Sequence, residues 1–248
     1  MSESRWAGRV ALVTGASRGI GEAVVRVLVE LGLRVVACGR DEARLEALAA
    51  ELGEAVWPLA FDLRDLAAIE GAFAQVRARW GGVAVLVNNA GLGKDAPLLS
   101  GASDDWRTIL EVNVLALCVC TREATADMLR AGSGHVIHVS SMSGHRVPGG
   151  GGGVYAASKH AVRALTEGLR RELRAARADG VRVTAVSPGY VATDFHQTLK
   201  GGDPAFARPV DYPMLSAADV AEAVRYALCA PAHVELHDVL MRPTQQET

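Results

Sequence analysis

Residues 14–21 read TGASRGIG, a glycine-rich stretch between an apolar run at Val10–Thr14 and a segment with helical periodicity. The periodicity comes from the apolar side chains Ile20, Val24, Val27 and Leu31. Gly15, Gly19 and Gly21 leave room for the backbone to turn sharply and approach a diphosphate, and a helix start offers free N–H groups to that anion. An ordinary strand-to-helix loop is the alternative, but a strand, a turn and a helix in this order favour dinucleotide binding.

The alternation of strands and helices continues along the chain. Further apolar runs predict strands at Arg34–Cys38, Val56–Ala60, Val83–Asn88, His135–Ser140, Arg182–Ser187 and near Val239. Helical spacing recurs between them, at Leu45, Leu48 and Leu52, at Ile69, Phe73, Val76 and Trp80, and at Leu165, Leu169 and Leu173. We predict an α/β fold of one domain over residues 1–248, a doubly wound Rossmann-type parallel sheet of about seven strands with helices on both faces. Functional residues should follow the strands, because such sheets bind ligands beyond their carboxyl ends.

Composition narrows the function classes. Half of the 248 residues are hydrophobic and 22% are charged, as in soluble globular proteins. A formal net charge of -2 gives no reason to expect nucleic acid or a membrane surface as partner. The first 15 residues contain no long apolar segment and no stretch is apolar enough to span a bilayer, so a cytoplasmic protein is expected. The cysteines are expected to be buried free thiols without a metal site: Cys38, Cys118, Cys120 and Cys229.

Tyr155 and Lys159 are four residues apart in the run VYAASKHAVRAL. On a helix this spacing places both side chains on one face. A tyrosine phenol titrates near pH ~10, and a nearby ammonium favours the phenolate. We therefore expect Lys159 to lower the pKa of Tyr155 toward neutrality, which would suit the tyrosine to proton transfer. An aromatic residue at a helix start with a solvated lysine one turn later is the alternative.

Several motifs in a fixed order resemble those of the short-chain dehydrogenase/reductase family. Three residues, rather than one, separate the first two glycines of TGASRGIG. The other motifs are NNAG at Asn88–Gly91, Asn113 within EVNVLA, the pair Ser140–Ser141, Tyr155-x-x-x-Lys159 and PGYVAT at Pro188–Thr193. The resemblance runs nearly from end to end of the chain. It implies the Rossmann-type fold predicted above and an oxidoreductase that acts on carbonyl and alcohol groups.

The resemblance assigns catalytic roles to Ser141, Tyr155, Lys159 and Asn113. Tyr155 would donate or accept the proton, Lys159 would be its cationic neighbour and bind a ribose hydroxyl, and Ser141 would bond the substrate oxygen. Asn113 would hold a water that connects Lys159 to solvent, although a back-bond to its own helix is the alternative. Ser141 is preferred over Ser140 and Ser143 because it lies three residues before Gly144, as in the family pattern SSxxG. Its spacing to Tyr155 is one residue longer than is usual, and the run Gly149–Gly153 can absorb that residue.

The resemblance also implies a set of dinucleotide contacts at the strand ends. They are Gly15, Ser17, Arg18, Gly19, Ile20, Gly21, Arg40, Asp62, Leu63, Asn89, Ala90, Gly91, Tyr155, Lys159, Pro188, Gly189, Val191 and Thr193. Arg40 follows the second strand, and Arg18 lies in the glycine turn; both suit a ribose 2′-phosphate, so NADP(H) is expected rather than NAD. The alternative is a solvated Arg40, with Asp41 capping the next helix. Asp62 would lie at the adenine, or else cap a helix.

A flap at about residues 193–215 is expected to cover the substrate. Its apolar side chains are Leu199, Phe206, Tyr212 and Met214, which would line a site for an apolar substrate or else pack on the protein itself. The stretches SMSGHRVPGG and PAHVELHDVLMRPT resemble the branch that holds ketosteroid reductases and farnesol dehydrogenases. A ketosteroid, an isoprenoid or another small-molecule carbonyl or alcohol is therefore the expected substrate. His145 and His196 are candidate substrate contacts, whereas His138 is expected in the core.

Two other functions compete with that of a reductase. A catalytically idle NADP-binding regulatory protein of the same fold would have lost Ser141, Tyr155 or Lys159, and all three are present. A dehydratase or epimerase would need additional substrate-domain sequence, for which 248 residues leave little room. The resemblance further implies a homotetramer or homodimer built on the helices that hold Asn113 and Tyr155.

Overall fold

The computed structural model describes residues 5–147, 152–199 and 210–247. Gly149–Gly151 of the glycine run and Phe206 of the flap lie outside these ranges. The strands are β1 (Val10–Thr14), β2 (Arg34–Gly39), β3 (Val56–Ala60), β4 (Val85–Asn88), β5 (Gly134–Val139), β6 (Val181–Pro188) and β7 (Asp238–Met241). The helices are α1 (Gly19–Glu30), α2 (Glu42–Leu52), α3 (Leu66–Trp80), α4 (Ser103–Leu110), α5 (Ala116–Ala131), α6 (Gly153–Ala175), α7 (Phe195–Leu199) and α8 (Ala217–Cys229).

The seven strands form one parallel sheet in the order β3-β2-β1-β4-β5-β6-β7. This confirms the predicted α/β fold class. The predicted strands are all present; β1 and β3 have the predicted ends, and the ends of the others differ from prediction by at most two residues. The largest difference is at β4, which begins at Val85 instead of Val83. The Val83 N–H donates to the carboxylate of Asp127 at 3.0 Å instead of to a neighbouring strand, which explains the later start.

Apolar side chains from the two faces of the sheet form two separate cores. Ala11 and Val13 of β1 point into one core, which α1 and α8 cover. Val10 and Leu12 alternate with them and point into the other, which α3 and α5 cover. Because both faces are covered, the strands read as continuous apolar runs and not as alternating patterns.

The chain changes direction at β1, which pairs with β2 on one side and with β4 on the other. The loops after β1 and β4 therefore separate and leave a crevice at the carboxyl edge of the sheet. TGASRGIG follows β1 and NNAG starts at the last residue of β4, so both motifs meet at this crevice.

The prediction of buried thiols is correct for only part of the cysteines. Cys38 and Cys120 are buried, and Cys118 is half-buried. Cys229 is exposed because it is the last residue of α8 and lies on the side of that helix that faces solvent. All four are free. Across the described ranges, no three His, Cys, Asp or Glu side chains are grouped so that they would hold a metal ion. In the same ranges, every helix is too short or too polar to cross a membrane.

Candidate active site

The glycines of TGASRGIG form a tight cradle at the end of β1. Gly15 has φ +67° and Gly19 has φ +57°, in the left-handed region that favours glycine. A Cβ at Gly21 would lie 2.1 Å from the Gly15 carbonyl oxygen and 2.5 Å from Asn89 Nδ2. Side chains are therefore excluded where the turn opens α1. This glycine cradle (Gly15, Gly19 and Gly21) fits a diphosphate at the helix N-terminus.

A set of hydrogen bonds ties the NNAG motif to the glycine cradle. Thr14 Oγ1 accepts from the backbone N–H groups of Asn89 at 3.1 Å and Ala90 at 3.0 Å. Asn89 Nδ2 donates to the carbonyl oxygens of Thr14 at 2.9 Å and Gly15 at 3.1 Å. Leu63 and Ala90 line the same narrow crevice. Thr14 was not predicted as a site residue, although its position directly before Gly15 was the available signal.

The loops after β2 and β3 bring charged side chains to one end of the crevice. Arg40 is exposed just after β2, where a Cβ at Gly39 would be 3.5 Å from Ser17 of the glycine turn. The Asp62 carboxylate pairs with Arg64 at 2.6 Å, and this bond is the main cause of a lowered Asp62 pKa, to which the charge of Arg40 also contributes. Arg40 and Asp62 therefore share one corner of the crevice, and Arg64, which was not predicted as a site residue, neutralises the Asp62 carboxylate.

Two capping alternatives are now decided. Asp41 accepts from the Arg44 N–H at 3.3 Å and caps α2, as that alternative stated. Asp62 does not cap α3: that helix is capped by Asp65, which accepts from the Ala68 N–H at 3.0 Å. Capping by Asp62 is wrong because α3 begins one turn later than that hypothesis required.

The first residues of the flap lie against the glycine cradle. Arg18 pairs with Asp194 at 3.6 Å, and a Cβ at Gly19 would be 3.1 Å from Thr193 Cγ2. Val191 bridges to Leu215 and closes the base of the flap. Three other predicted contacts lie nearby: Pro188 at the end of β6, Gly189, whose N–H bonds Met241, and half-buried Ile20 on α1.

Lys159 lies in the interior next to Tyr155. Both residues are on α6, and the Lys159 Nζ is 5.9 Å from the centroid of the Tyr155 ring. Only 4% of Lys159 is exposed, and its Nζ donates to the Val139 carbonyl oxygen at 2.9 Å. A Cβ at Gly91 would be 3.3 Å from the same Nζ, so the NNAG loop packs on the ammonium. The solvated-lysine alternative is therefore wrong.

The pKa of Tyr155 differs from the prediction. Burial raises the pKa of Tyr155 to about 12, against the smaller opposing effect of a hydrogen bond with Ser141. Burial also lowers the pKa of Lys159 to about 8. The expected lowering of the Tyr155 pKa is wrong because the ammonium points at the Val139 carbonyl while burial disfavours the phenolate. At neutral pH, Tyr155 is thus a neutral phenol beside a protonated amine.

Among the three candidate serines, Ser141 is the one that meets Tyr155. Its side chain hydrogen-bonds the phenol and also accepts from the Ser143 N–H at 3.1 Å. Ser140 is buried behind it and donates to the Lys159 carbonyl oxygen at 3.3 Å. A Cβ at Gly144 would be 2.8 Å from that same carbonyl oxygen, which accounts for the glycine in SSxxG.

Asn113 lies in a π-helical turn, Glu111–Leu115, between α4 and α5. Its Oδ1 accepts from the Leu92 N–H at 2.9 Å, and its Nδ2 donates to the Leu92 carbonyl at 2.9 Å and to Ser158 Oγ at 3.0 Å. Ser158 Oγ in turn donates to the Tyr155 carbonyl oxygen at 2.6 Å. The back-bond alternative is therefore wrong, because the partners of the amide are Leu92 and Ser158. Ser158 was missed, although its position directly before Lys159 was a signal.

Helix α7 of the flap covers Tyr155. The Phe195 ring lies 5.4 Å from the Tyr155 ring, and the Leu199 carbonyl accepts from the Asp95 N–H at 3.1 Å. A Cβ at Gly93 would be 2.7 Å from Leu199 Cδ1. Phe195 and Leu199 therefore pack on the protein itself, as the alternative for the flap side chains stated.

The three histidines singled out have different surroundings. His196 packs 5.1 Å from the Tyr190 ring, inside the flap region. His145 Nε2 lies 3.0 Å from the carboxylate of Asp238, the first residue of β7. His138 is fully buried, which confirms its expected place in the core.

A glycine cradle at the switch point of a parallel sheet, next to a tyrosine and a buried lysine, defines a dinucleotide-dependent oxidoreductase of the Rossmann type. Comparison with known proteins narrows that class. The family model for short chain dehydrogenase matches residues 9–203, and the chain belongs to this family. The family recognised from the sequence motifs is thereby confirmed.

Individual relatives extend over nearly the whole chain. "Dehydrogenase/reductase SDR family member 11" of Gallus gallus is 47% identical over 252 residues, covering 98% of each chain. A "Farnesol dehydrogenase" of Aedes aegypti is 38% identical over 254 residues, covering 98% of this chain and 99% of that protein. The solved structure of a closed form of serine dehydrogenase complexed with NADP+ has a TM-score of 0.90 and 36% identity, with 96% of each chain covered.

Proposed function

We propose that this protein is an NADP(H)-dependent oxidoreductase that interconverts a carbonyl and a primary or secondary alcohol, with Tyr155 as general acid/base. The observation that carries the proposal is the Tyr155 phenol, hydrogen-bonded to Ser141 and one helical turn from buried Lys159, whose ammonium packs on Gly91 of the NNAG loop. When bound, the nicotinamide supplies or accepts the hydride.

Each side chain has a role that follows from its surroundings. Hydride addition to a carbonyl puts negative charge on its oxygen, and a hydrogen-bond donor aimed at that oxygen lowers the barrier. Ser141 and Tyr155 are two such donors, and a phenol with a pKa of about 12 is protonated and ready to neutralise an alkoxide. Lys159 holds positive charge near the phenol, and Asn113 with Ser158 fixes the backbone of Tyr155. We further propose that Asn113 holds the water that links Lys159 to solvent.

NADP(H) fits the crevice at both of its ends. The glycine cradle admits a diphosphate, and Arg40 offers a planar guanidinium group at the ribose end, whereas the Arg18 guanidinium lies at Asp194 of the flap. The solved neighbour complexed with NADP+ supports the same cofactor. We propose that the remaining contacts are those implied by the resemblance, including Ser17, Asp62 and Thr193.

We predict that Arg40→Ala weakens NADPH binding about 10- to 100-fold, because a charge-assisted hydrogen bond contributes roughly 1.5–3 kcal/mol. NADH binding should change by less than twofold, because its ribose carries a hydroxyl instead of a phosphate. Fluorescence titration with each dinucleotide gives both dissociation constants. Arg44→Ala is the matched control, since Arg44 is an exposed arginine in the first turn of α2, where it pairs with the capping residue Asp41. An equal loss for both dinucleotides would contradict the NADP assignment.

We propose that the substrate is apolar, such as a ketosteroid or an isoprenoid. The Phe195 ring covers Tyr155, and Leu199 lies beside it over Gly93, so a substrate that reaches the phenol contacts these side chains. The farnesol dehydrogenase relative supports the isoprenoid class, whereas the serine dehydrogenase neighbour favours a small polar substrate. His145 and His196 remain candidate contacts.

A substrate panel tests the proposed function. NADPH consumption would be measured with ketosteroids and isoprenoid aldehydes, and NADP+ reduction with farnesol, serine and short hydroxy acids. Turnover of the apolar compounds at least tenfold above the polar ones is expected. The reverse order would overturn the substrate class. Tight NADPH binding with no turnover of any compound would favour the idle regulatory protein.

We propose a homodimer or homotetramer built on the helices that hold Asn113 and Tyr155. Leu110 and Leu115 flank Asn113 and are 45% and 46% exposed, an apolar surface that a second copy would bury. Sedimentation velocity measures the mass, and a monomer would contradict this assembly. We also propose a cytoplasmic location, which the free thiols support; microscopy of a tagged chain would reveal any other compartment.

A further inference from the structure

A chain of hydrogen bonds runs through His138 behind the candidate active site; it is half-buried on the Thr121 side and buried on the Thr166 side. Asn88 Nδ2 donates to Thr121 Oγ1 at 3.0 Å, and Thr121 Oγ1 is 3.2 Å from His138 Nε2. On the other side of the ring, His138 Nδ1 is 2.9 Å from Thr166 Oγ1, which donates to the Val162 carbonyl at 2.7 Å. The chain therefore connects β4, α5, β5 and α6 through a single imidazole.

The donors and acceptors in this chain fix the tautomer of His138. Thr166 has one hydroxyl hydrogen and gives it to Val162, so Thr166 accepts from His138 Nδ1–H. Thr121 accepts from Asn88 and is left to donate to the bare Nε2 of His138. Every member has a partner only when the imidazole is neutral. Burial, followed by the charges of Lys159 and Arg170, lowers the pKa of His138 to about 3 and keeps it neutral.

His138 directly precedes the residue that holds the lysine. The Val139 carbonyl is the acceptor of the Lys159 ammonium at 2.9 Å, and α6 carries both Thr166 and Lys159. The His138–Thr166 bond therefore sets the distance between β5 and α6. It does so at the residue next to Val139, whose carbonyl accepts from Lys159. An apolar residue at position 138 would pack in the same space but would not fix this register.

We propose that His138 is a positioning residue, whose two ring hydrogen bonds hold β5 against α6 so that the Val139 carbonyl meets Lys159. This rests on the proposed function only in taking Lys159 as the catalytic amine. His138 acts through the backbone and touches neither substrate nor dinucleotide.

The chain offers a matched control on the same strand. His135 is also buried on β5, its Nε2 is 2.9 Å from Thr184 Oγ1, and burial lowers its pKa to about 3 as well. It lies near the start of β5, next to Arg182 and away from Lys159. His135→Leu therefore reproduces the loss of a buried imidazole and its threonine bond without the proposed positioning effect.

The test compares His138→Leu with His135→Leu, and His138→Gln serves as the conservative variant because an amide both donates and accepts. We expect His138→Leu to lower kcat about 10- to 100-fold, since small misplacements of catalytic groups have effects of this size, with the KM for NADPH within twofold. His138→Gln should recover part of the rate. His135→Leu should lose a similar amount of Tm with kcat unchanged. A kcat that falls equally in both leucine variants would overturn the proposal.

The pKa of Lys159 gives a readout that needs no turnover. Its pKa of about 8 means that the amine is charged below that pH and neutral above it, so the alkaline limb of kcat should lie near pH 8. A carbonyl that no longer meets the ammonium stabilises the charged form less, so His138→Leu should shift the Lys159 pKa and that limb to lower pH. NMR titration of labelled lysine measures the shift directly. A Lys159 pKa that is the same in His138→Leu as in the wild type would refute positioning by His138. If the variant shows the expected pKa shift but the wild type turns over no substrate, only the proposed function would be refuted.

Discussion

Tyr155→Phe is expected to abolish turnover while NADPH binds nearly as before. The variant removes one oxygen, so the ring remains to pack 5.4 Å from Phe195 and the helix that carries Lys159 is undisturbed. What is lost is the proton and a donor to the substrate oxygen, a role worth about 10²–10⁴-fold in general acid catalysis. We expect kcat to fall by at least about 10³-fold and the NADPH dissociation constant to change less than twofold.

Single-turnover loss of NADPH absorbance separates the hydride step from product release in this experiment. Tyr226→Phe is the matched control, because Tyr226 is 62% exposed on α8. This substitution removes the same phenol oxygen, but away from the crevice. The control should match the wild type in kcat and Tm. A Tyr155→Phe enzyme that retains a tenth of the wild-type rate would mean that another group transfers the proton. A parallel loss of NADPH affinity would instead make Tyr155 a binding residue.

The topology was predictable because its signals are local in sequence. Short apolar runs rich in β-branched residues, such as Arg34–Cys38, favour strands buried on both faces, and Ile69, Phe73 and Val76 follow the period of a helix with one buried face. Parallel strands need crossovers, and the right-handed rule then leaves few arrangements. The glycine turn was predictable for the same reason, since the spacing of its glycines indicates where the backbone turns sharply.

The electrostatics of the site were less predictable, because they depend on burial and on directions in space. The i, i+4 spacing correctly placed Tyr155 and Lys159 together, but it did not reveal that the ammonium points at the Val139 carbonyl. Burial of the phenol is then the largest effect, and it raises the pKa of Tyr155 instead of lowering it. The π-helical turn around Asn113 has no sequence signature in EVNVLA, yet it presents the amide to Leu92 and Ser158.

Side-chain pairs that depend on tertiary packing or on the path of a loop could not be predicted from the sequence either. His138 was read as a core residue, which is correct, but its neighbours Thr121 and Thr166 belong to two different helices. Arg64 pairs with Asp62 only two residues away, yet the pairing depends on how the loop after β3 turns. Such contacts follow from tertiary packing, which periodicity does not report.

Gly21→Ala is expected to have the second large effect, on dinucleotide binding. The new methyl group would lie 2.1 Å from the Gly15 carbonyl oxygen, a backbone atom that cannot rotate away. Either the glycine cradle opens or α1 shifts, and both movements displace the N–H groups that would face a diphosphate. Loss of two hydrogen bonds to a charged group at roughly 1.5–3 kcal/mol each corresponds to an NADPH affinity at least about 100-fold lower. Overpacking should in addition cost about 1–3 kcal/mol of stability.

Gly71→Ala provides the control for this prediction, because the chemical change is identical and the surroundings are open. Gly71 lies on the exposed side of α3, and a Cβ there would meet nothing within 4 Å. Alanine is the better helix former by about 0.8–1 kcal/mol, so this variant should gain Tm and bind NADPH as the wild type does. Isothermal titration with NADPH and a thermal melt of both variants would separate the effects. Wild-type affinity in Gly21→Ala would place the diphosphate elsewhere, since a shifted cradle could not hold it.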